Sequence, residues 1–201
     1  MFDVVLGGNI SIVEKINTIG GFQMERMVGK KAPYFEMNTV DGDGKNFGKV
    51  TLDNYKGKWL VMFFYPLDFT FVCPTEIKGY NGRIKDFDNL NAEILGVSTD
   101  SEHSHKAWIN LAKEQGGLGR LEFPLASDMT QRVARDYGVL IEEEGIALRG
   151  LFIIDPEGVL RYSVIHDLNV GRSVDETIRV LQGLKSGGLC PIDWKPGDET
   201  L

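Results

Sequence analysis

Cysteine is nearly absent from this sequence: of 201 residues only Cys73 and Cys190 carry a thiol, and only three are histidine. There is no C-x-x-C pair, so a four-cysteine zinc site is excluded and a dithiol oxidoreductase of the C-x-x-C type is disfavoured. His103 and His105 form H-x-H, but in the helix expected there they point about 200° apart. They therefore read as solvated side chains, not as ligands of one metal. Basic charge is also short, with 22 Lys and Arg against 29 Asp and Glu, a net charge of -7. No basic cluster is longer than Lys30-Lys31. That speaks against nucleic acid and against an anionic membrane surface as partners. No apolar run approaches the ~20 residues of a membrane helix. The opening "MFDVVLGGNI" has no basic n-region and carries Asp3, unlike a signal peptide. A cytoplasmic location is expected, where a cysteine tends to be catalytic, metal-binding or inert and seldom part of a structural disulfide. "DGDGKNF", Asp41 to Phe47, lacks the twelfth-position Glu of a calcium loop and reads as a turn between two strands.

What remains is an ordinary globular composition, 42% hydrophobic and 25% charged, long enough for one full core. Residues 1–27 read as a leader or packing arm, with Ile10, Val13, Ile16 and Ile19 bracketed by glycine pairs. "WLVMFFY" at Trp59 to Tyr65 is a continuous apolar run, the pattern of a strand buried on both faces. An irregular loop follows, then a helix expected over Val72 to Phe87, with Pro74 in its first turn, where a missing N–H costs nothing. "AEILGVST" is a second buried strand, and Ser101 to Gln115 a helix stopped by Gly116-Gly117. Asp128 with Gln131 forms a capping-box pattern for a short helix to Tyr137. "ALRGLFIID" is a third strand, "DPEG" a tight turn, and "VLRYSVI" its hairpin partner. Ser173 with Glu176 caps a last helix to about Leu184. Strands alternating with helices and closing on a hairpin indicate an α/β domain over 28–185 with a mixed central sheet. The Gly/Pro-rich stretch 186–201 reads as an extended arm leaving that domain.

Cys73 lies between the first apolar run and a helix start, flanked by Pro66, Thr70 and Pro74. A free thiol has a pKa of about 8.5. Helix N-termini offer free N–H groups and partial positive charge. A hydroxyl three residues earlier, Thr70, can share a face with the sulfur and donate to it. A nearby arginine adds full charge. Arg149, set inside an apolar strand run, is the candidate, because an arginine there needs a buried or functional reason. Pro66 and its aromatic neighbours would wall off part of a cleft and admit only small substrates. The competing reading of Cys73 is a small buried hydrophobe.

"FYPLDFTFVCPTEI", with P-x-x-x-T-x-x-C at Pro66, Thr70 and Cys73, resembles the active-site loop of peroxiredoxins. "GIALRGLFIIDPEG" resembles the strand carrying that family's active-site arginine. "GRSVDETIRVLQ" and "LCPIDWKPG" are similar to its last helix and resolving-cysteine region. The resemblance covers about Val28 to Gly197 and fits the typical 2-Cys branch, which includes the peroxidase component of alkyl hydroperoxide reductase. It implies a thioredoxin-like fold with helices flanking the sheet, and a thiol peroxidase acting on hydrogen peroxide and alkyl hydroperoxides without a bound cofactor. By the same resemblance Cys73 is the peroxidatic nucleophile and Cys190 the resolving cysteine of the other subunit. Thr70 and Arg149 orient thiolate and peroxide, and Pro66 shields the sulfur. The Cys73 N–H holds a peroxide oxygen, and Tyr65 is a cleft wall and donor. Glu76 holds Arg149, against the alternative of an exposed first-turn acid. Cys190 competes with a spare exposed thiol. Electrons would come from thioredoxin or a flavoprotein disulfide reductase, and the assembly would be a homodimer, with dimers forming a ring. An alternative function is a redox sensor or holdase chaperone using the same sulfur as a switch. "GGLG" at Gly116 to Gly119 resembles a loop linked to overoxidation sensitivity. No Tyr-Phe pair follows Trp194, so slow overoxidation is expected.

Overall fold

A computed structural model describes residues 26–201, so the leader expected at 1–27 lies outside the described residues except for Arg26 and Met27. In chain order the elements are β1 (Glu36–Val40), β2 (Phe47–Thr51), β3 (Trp59–Phe64), α1 (Cys73–Gly82), α2 (Ile84–Asn89), β4 (Ala92–Ser98), α3 (Glu102–Asn110), β5 (Leu125–Ser127), α4 (Arg132–Asp136), β6 (Leu140–Ile141), β7 (Ile146–Ala147), β8 (Arg149–Ile154), β9 (Leu160–His166) and α5 (Val174–Ser186). Seven strands form one sheet in the order β2-β1-β5-β4-β3-β8-β9, and β6 with β7 makes a separate hairpin. The β3–β4 and β4–β5 pairs are parallel, the others antiparallel, so the sheet is mixed as expected.

The apolar run of β3 behaves as its composition demands. Val61 and Phe63 enter one core layer with Ile77, Tyr80, Trp108, Ile178 and Leu181. Leu60, Met62 and Phe64 enter the other with Val133, Tyr137, Phe152 and Leu160. Period-two alternation thus fills both faces, and burying each side chain of this size contributes about 1.5–3 kcal/mol. Because β3 and β8 are antiparallel, with Phe63 opposite Leu151, the end of β3 lies beside the start of β8. The loop leaving β3 and the first residue of β8, Arg149, therefore meet at one end of the sheet.

Several local expectations change. The helix expected over Val72 to Phe87 breaks at Arg83 into α1 and α2, after two glycines, Gly79 and Gly82. The helix expected over Ser101 to Gln115 ends at Asn110; Leu111 is extended and Lys113–Gln115 is a 3-10 turn. Asp128 and Gln131 make no capping box. Gln131 takes the left-handed region and its side chain reaches the Gly145 carbonyl, while the Asp128 carboxylate alone accepts from the Val133 and Ala134 amides. At α5 the Ser173 hydroxyl accepts from the Glu176 N–H as expected, but the Glu176 carboxylate turns to Arg179.

The arm does not leave the domain in the single chain. Gly187, at φ 71°, reverses the backbone after α5, a conformation glycine takes without strain. The segment then folds back over α5: Arg179 donates to the Trp194 carbonyl at 3.0 Å, and Trp194 is buried. A Cβ on Gly183 would stand 3.4 Å from Cys190 Sγ and 3.7 Å from the Trp194 ring, so this helix position is where the arm seats.

Candidate active site

Cys73 is the first residue of α1, with Pro74 behind it in the first turn. Its N–H is among those a helix leaves without an intrahelical partner. The thiol is free and fully buried. Arg149 reaches it from the start of β8: Nη1 donates to Cys73 Sγ at 3.4 Å and to Glu76 Oε2 at 2.8 Å, while Nε donates to the Leu168 carbonyl at 2.8 Å. Glu76, one turn after Cys73 on α1, is buried, so the alternative of an exposed first-turn acid is set aside.

A second arginine completes the group. Arg172, just before the N-cap of α5, donates from its backbone N and from Nε to Glu76 Oε1, both at 2.8 Å, and from Nη2 to Oε2 at 2.9 Å. Its Nη1 donates to the carbonyls of Phe64 and Gly150 at 2.7 and 2.6 Å, and its guanidinium lies over the Phe63 ring. Burial alone would raise the Glu76 carboxyl. The Arg172 hydrogen bonds and charge, with Arg149 behind them, outweigh it and hold the group below the ordinary glutamate value. Two cations share one carboxylate, so the cluster keeps one unit of positive charge beside the Cys73 sulfur. Such an arrangement stabilises negative charge developing on sulfur or on a bound oxygen.

The structure thus brings Cys73, Glu76 and Arg149 together. Thr70 stands in the preceding loop, half-buried, and its hydroxyl donates to the Leu67 carbonyl at 3.0 Å instead of to the sulfur. Pro66 is buried in the same loop. Tyr65 is fully buried rather than a wall with a free donor; its hydroxyl donates to Asp68 at 2.9 Å. Burial, then the Asp68 charge, pushes that phenol well above its ordinary value, so it remains a donor. Cys190 is exposed at the end of α5, near the Gly183 carbonyl and the Ser186 hydroxyl, apart from this cluster. His103 is exposed, but His105 is completely buried and paired with Asp68, which corrects the reading of both as solvated. Among the described residues no group of three or more His, Cys, Asp or Glu is arranged to hold a metal ion, and no helix is long and apolar enough to cross a membrane.

Arg172 was missed by sequence reasoning. The only signal was a charged residue wedged between a glycine and a helix cap. The family model described as "AhpC/TSA family" matches residues 28–163. The chain belongs to the AhpC/TSA family. A relative named as a peroxiredoxin in the rubredoxin operon of Clostridium pasteurianum is 65% identical over 89% of this chain and 100% of its own length. Among solved structures, reduced Plasmodium vivax 2-Cys peroxiredoxin superposes with a TM-score of 0.85 at 37% identity, covering 88% of this chain and 93% of that one. Enterococcus faecalis AhpC gives a TM-score of 0.75 at 34% identity, covering 83% and 100%. The thioredoxin-like α/β fold implied by the resemblance stands, and so does the enzyme class: as an AhpC/TSA family member the chain is a peroxiredoxin, a thiol-dependent peroxidase acting on peroxides.

Proposed function

We propose that Cys73 is the peroxidatic cysteine of a typical 2-Cys peroxidase acting on hydrogen peroxide and small organic hydroperoxides. One observation carries this reading: the Arg149 guanidinium donates to Cys73 Sγ at 3.4 Å, fixed there by Glu76 at 2.8 Å. The Cys73 thiolate attacks the terminal oxygen of ROOH. An S–O bond forms, the O–O bond breaks with both electrons going to the oxygen that carries R, and a proton taken up there makes ROH the leaving product. Cys73 is left as a sulfenic acid. Arg149 and the Cys73 N–H offset the charge on the separating oxygens, with Thr70 and Pro66 shaping the approach.

Cys190 of a second subunit then attacks the sulfenic sulfur, releasing water and forming an intersubunit disulfide. An external dithiol, thioredoxin or a flavoprotein disulfide reductase, returns both thiols by exchange. No resident cofactor takes part. β9 is the last strand of the sheet and exposes Ile165, and Leu67, Phe69 and Phe71 expose apolar surface on the active-site loop. Both features support a homodimer and a ring of dimers. The reading places the enzyme in the cytoplasm, where thiol reductants are at hand.

The test is electrophoresis without reductant after one equivalent of peroxide. The wild-type chain is expected to run as a covalent dimer that thiols reverse, and Cys190→Ser as a monomer. An undiminished dimer band in Cys190→Ser would rule out this role for Cys190.

A further inference from the structure

Beneath the loop joining β3 to α1 lies a buried polar cluster that the chemistry at Cys73 leaves unused. The side chains of Asp68 and His105 are 1% and 0% exposed. The Asp68 carboxylate accepts from the Tyr65 hydroxyl at 2.9 Å and the Ser104 hydroxyl at 2.7 Å, and it faces His105 Nδ1 at 2.8 Å. Its backbone N–H donates to Asp100 at 2.9 Å, and Asp100 accepts from the Ser98 hydroxyl at 2.8 Å. His105 Nε2 lies 3.2 Å from the Ala126 carbonyl of β5. A carbonyl can only accept, so that nitrogen carries a hydrogen. His105 therefore bridges β5 and α3 to the loop through its two ring nitrogens.

The loop has little else to hold it. Between Tyr65 and Val72, its hydrogen bonds to the rest of the described residues all run through Asp68; the Thr70 hydroxyl is spent on Leu67 within the loop. The next residue, Phe69, sits at φ 56°, with its ring 5.6 Å from Trp108. A bulky side chain rarely takes that left-handed region, and such a conformation persists where neighbours over-determine it. The hydrogen bonds converging on Asp68 supply that constraint four residues ahead of Val72, the N-cap of α1.

We propose that Asp68 and His105 are positioning residues for the peroxidatic reaction: a buried carboxylate–imidazole pair pins the loop to α3 and β5, and so holds Cys73 against Arg149. The pair touches neither the sulfur nor Arg149; it acts through the loop. The inference rests on the reading of Cys73 as the peroxidatic thiol. When the pin is removed, the loop and the first turn of α1 open more often, and the sulfur leaves its cationic partner. Reaction with peroxide slows, while capture of Cys73 by a second thiol or a bulky reagent does not.

Asp68→Asn and the milder Ser104→Ala, which removes one hydrogen bond from the carboxylate and spares the pair, test this. Stopped-flow oxidation of Cys73 by peroxide is compared with formation of the Cys73–Cys190 disulfide. Alkylation of Cys73 by N-ethylmaleimide is followed separately in a Cys190→Ser background. In Asp68→Asn, oxidation is expected to slow by about tenfold or more, with alkylation faster and disulfide formation not slowed. Ser104→Ala is expected to show the same split at smaller amplitude, and it stands alone if Asp68→Asn does not fold. A change in oxidation smaller than about twofold with unaltered alkylation would overturn the proposal. So would all three rates falling together with the folded fraction seen by circular dichroism. The alkylation arm needs no peroxide, so the pinning of the loop is judged even if Cys73 proves not to be the peroxidatic group.

Discussion

Cys73→Ser is expected to abolish peroxide consumption while leaving the fold intact. The substitution exchanges a polarisable sulfur for a hydroxyl that is a weak nucleophile without a dedicated base. No His lies in the cluster to act as that base: the partners of Cys73 and Glu76 are Arg149 and Arg172, both donors only. Arg149, Glu76 and Arg172 keep their mutual hydrogen bonds in the variant, so the circular dichroism spectrum should match that of the parent. Peroxide decay followed with a coupled dithiol reductant checks it. Cys190→Ser should differ in kind: one peroxide is consumed per chain, then turnover stops unless a small thiol is supplied. Steady consumption by Cys73→Ser would remove the sulfur from the chemistry.

Glu76→Ala is expected to cost both stability and rate. Among the described residues the carboxylate is the one anion paired with these two buried guanidinium groups, taking hydrogen bonds from Arg172 through both oxygens and from Arg149 through Oε2. Its removal leaves two uncompensated buried cations, a loss of about 3–5 kcal/mol. For a chain of this size that lowers Tm by roughly 6–20 °C. Freed of Glu76, Arg149 no longer aims at the sulfur, and loss of one such donor slows a step by about 10²–10³-fold. Arg149→Gln separates the two effects: it should reproduce the loss of rate with a smaller loss of stability, since the Arg172–Glu76 pairing survives.

The same carboxylate gives the wild type an acid limit. Its value in the fold is held below the ordinary 4.5, so its contribution is present above that value and is lost as pH falls through the depressed one. Thermal melts from pH 6 to pH 3 should show the Glu76→Ala difference shrinking only at the acid end. A difference already gone at pH 5 would contradict the arginine pairing.

The sequence carried the parts of the site that depend on local pattern. A cysteine at a helix start before Pro74, and an arginine inside the apolar run of β8, are both visible in a window of a few residues. Glu76 as the partner of Arg149 rests on the family resemblance alone, since an acid in a first helical turn is as readily an exposed one. What escaped depends on long-range meeting. Arg172 reaches Glu76 from the far end of the chain, and nothing in "NVGRS" announces a buried guanidinium. His105 could have been found: with Trp108 and Ile109 it stands at i, i+3, i+4, the core face of α3, whereas His103 falls on the open face. The glycines and prolines of the arm predict an extended segment, but Trp194 needs a place to bury its ring and finds one over Gly183.

The most direct test of Cys73 as the atom that takes the peroxide oxygen is to trap the product. Cys190→Ser, treated with one equivalent of hydrogen peroxide in the presence of dimedone, should give a single adduct on the peptide carrying Cys73 by mass spectrometry. An unmodified Cys73 with peroxide consumed, or an adduct that survives only when Cys190 is restored, would contradict it.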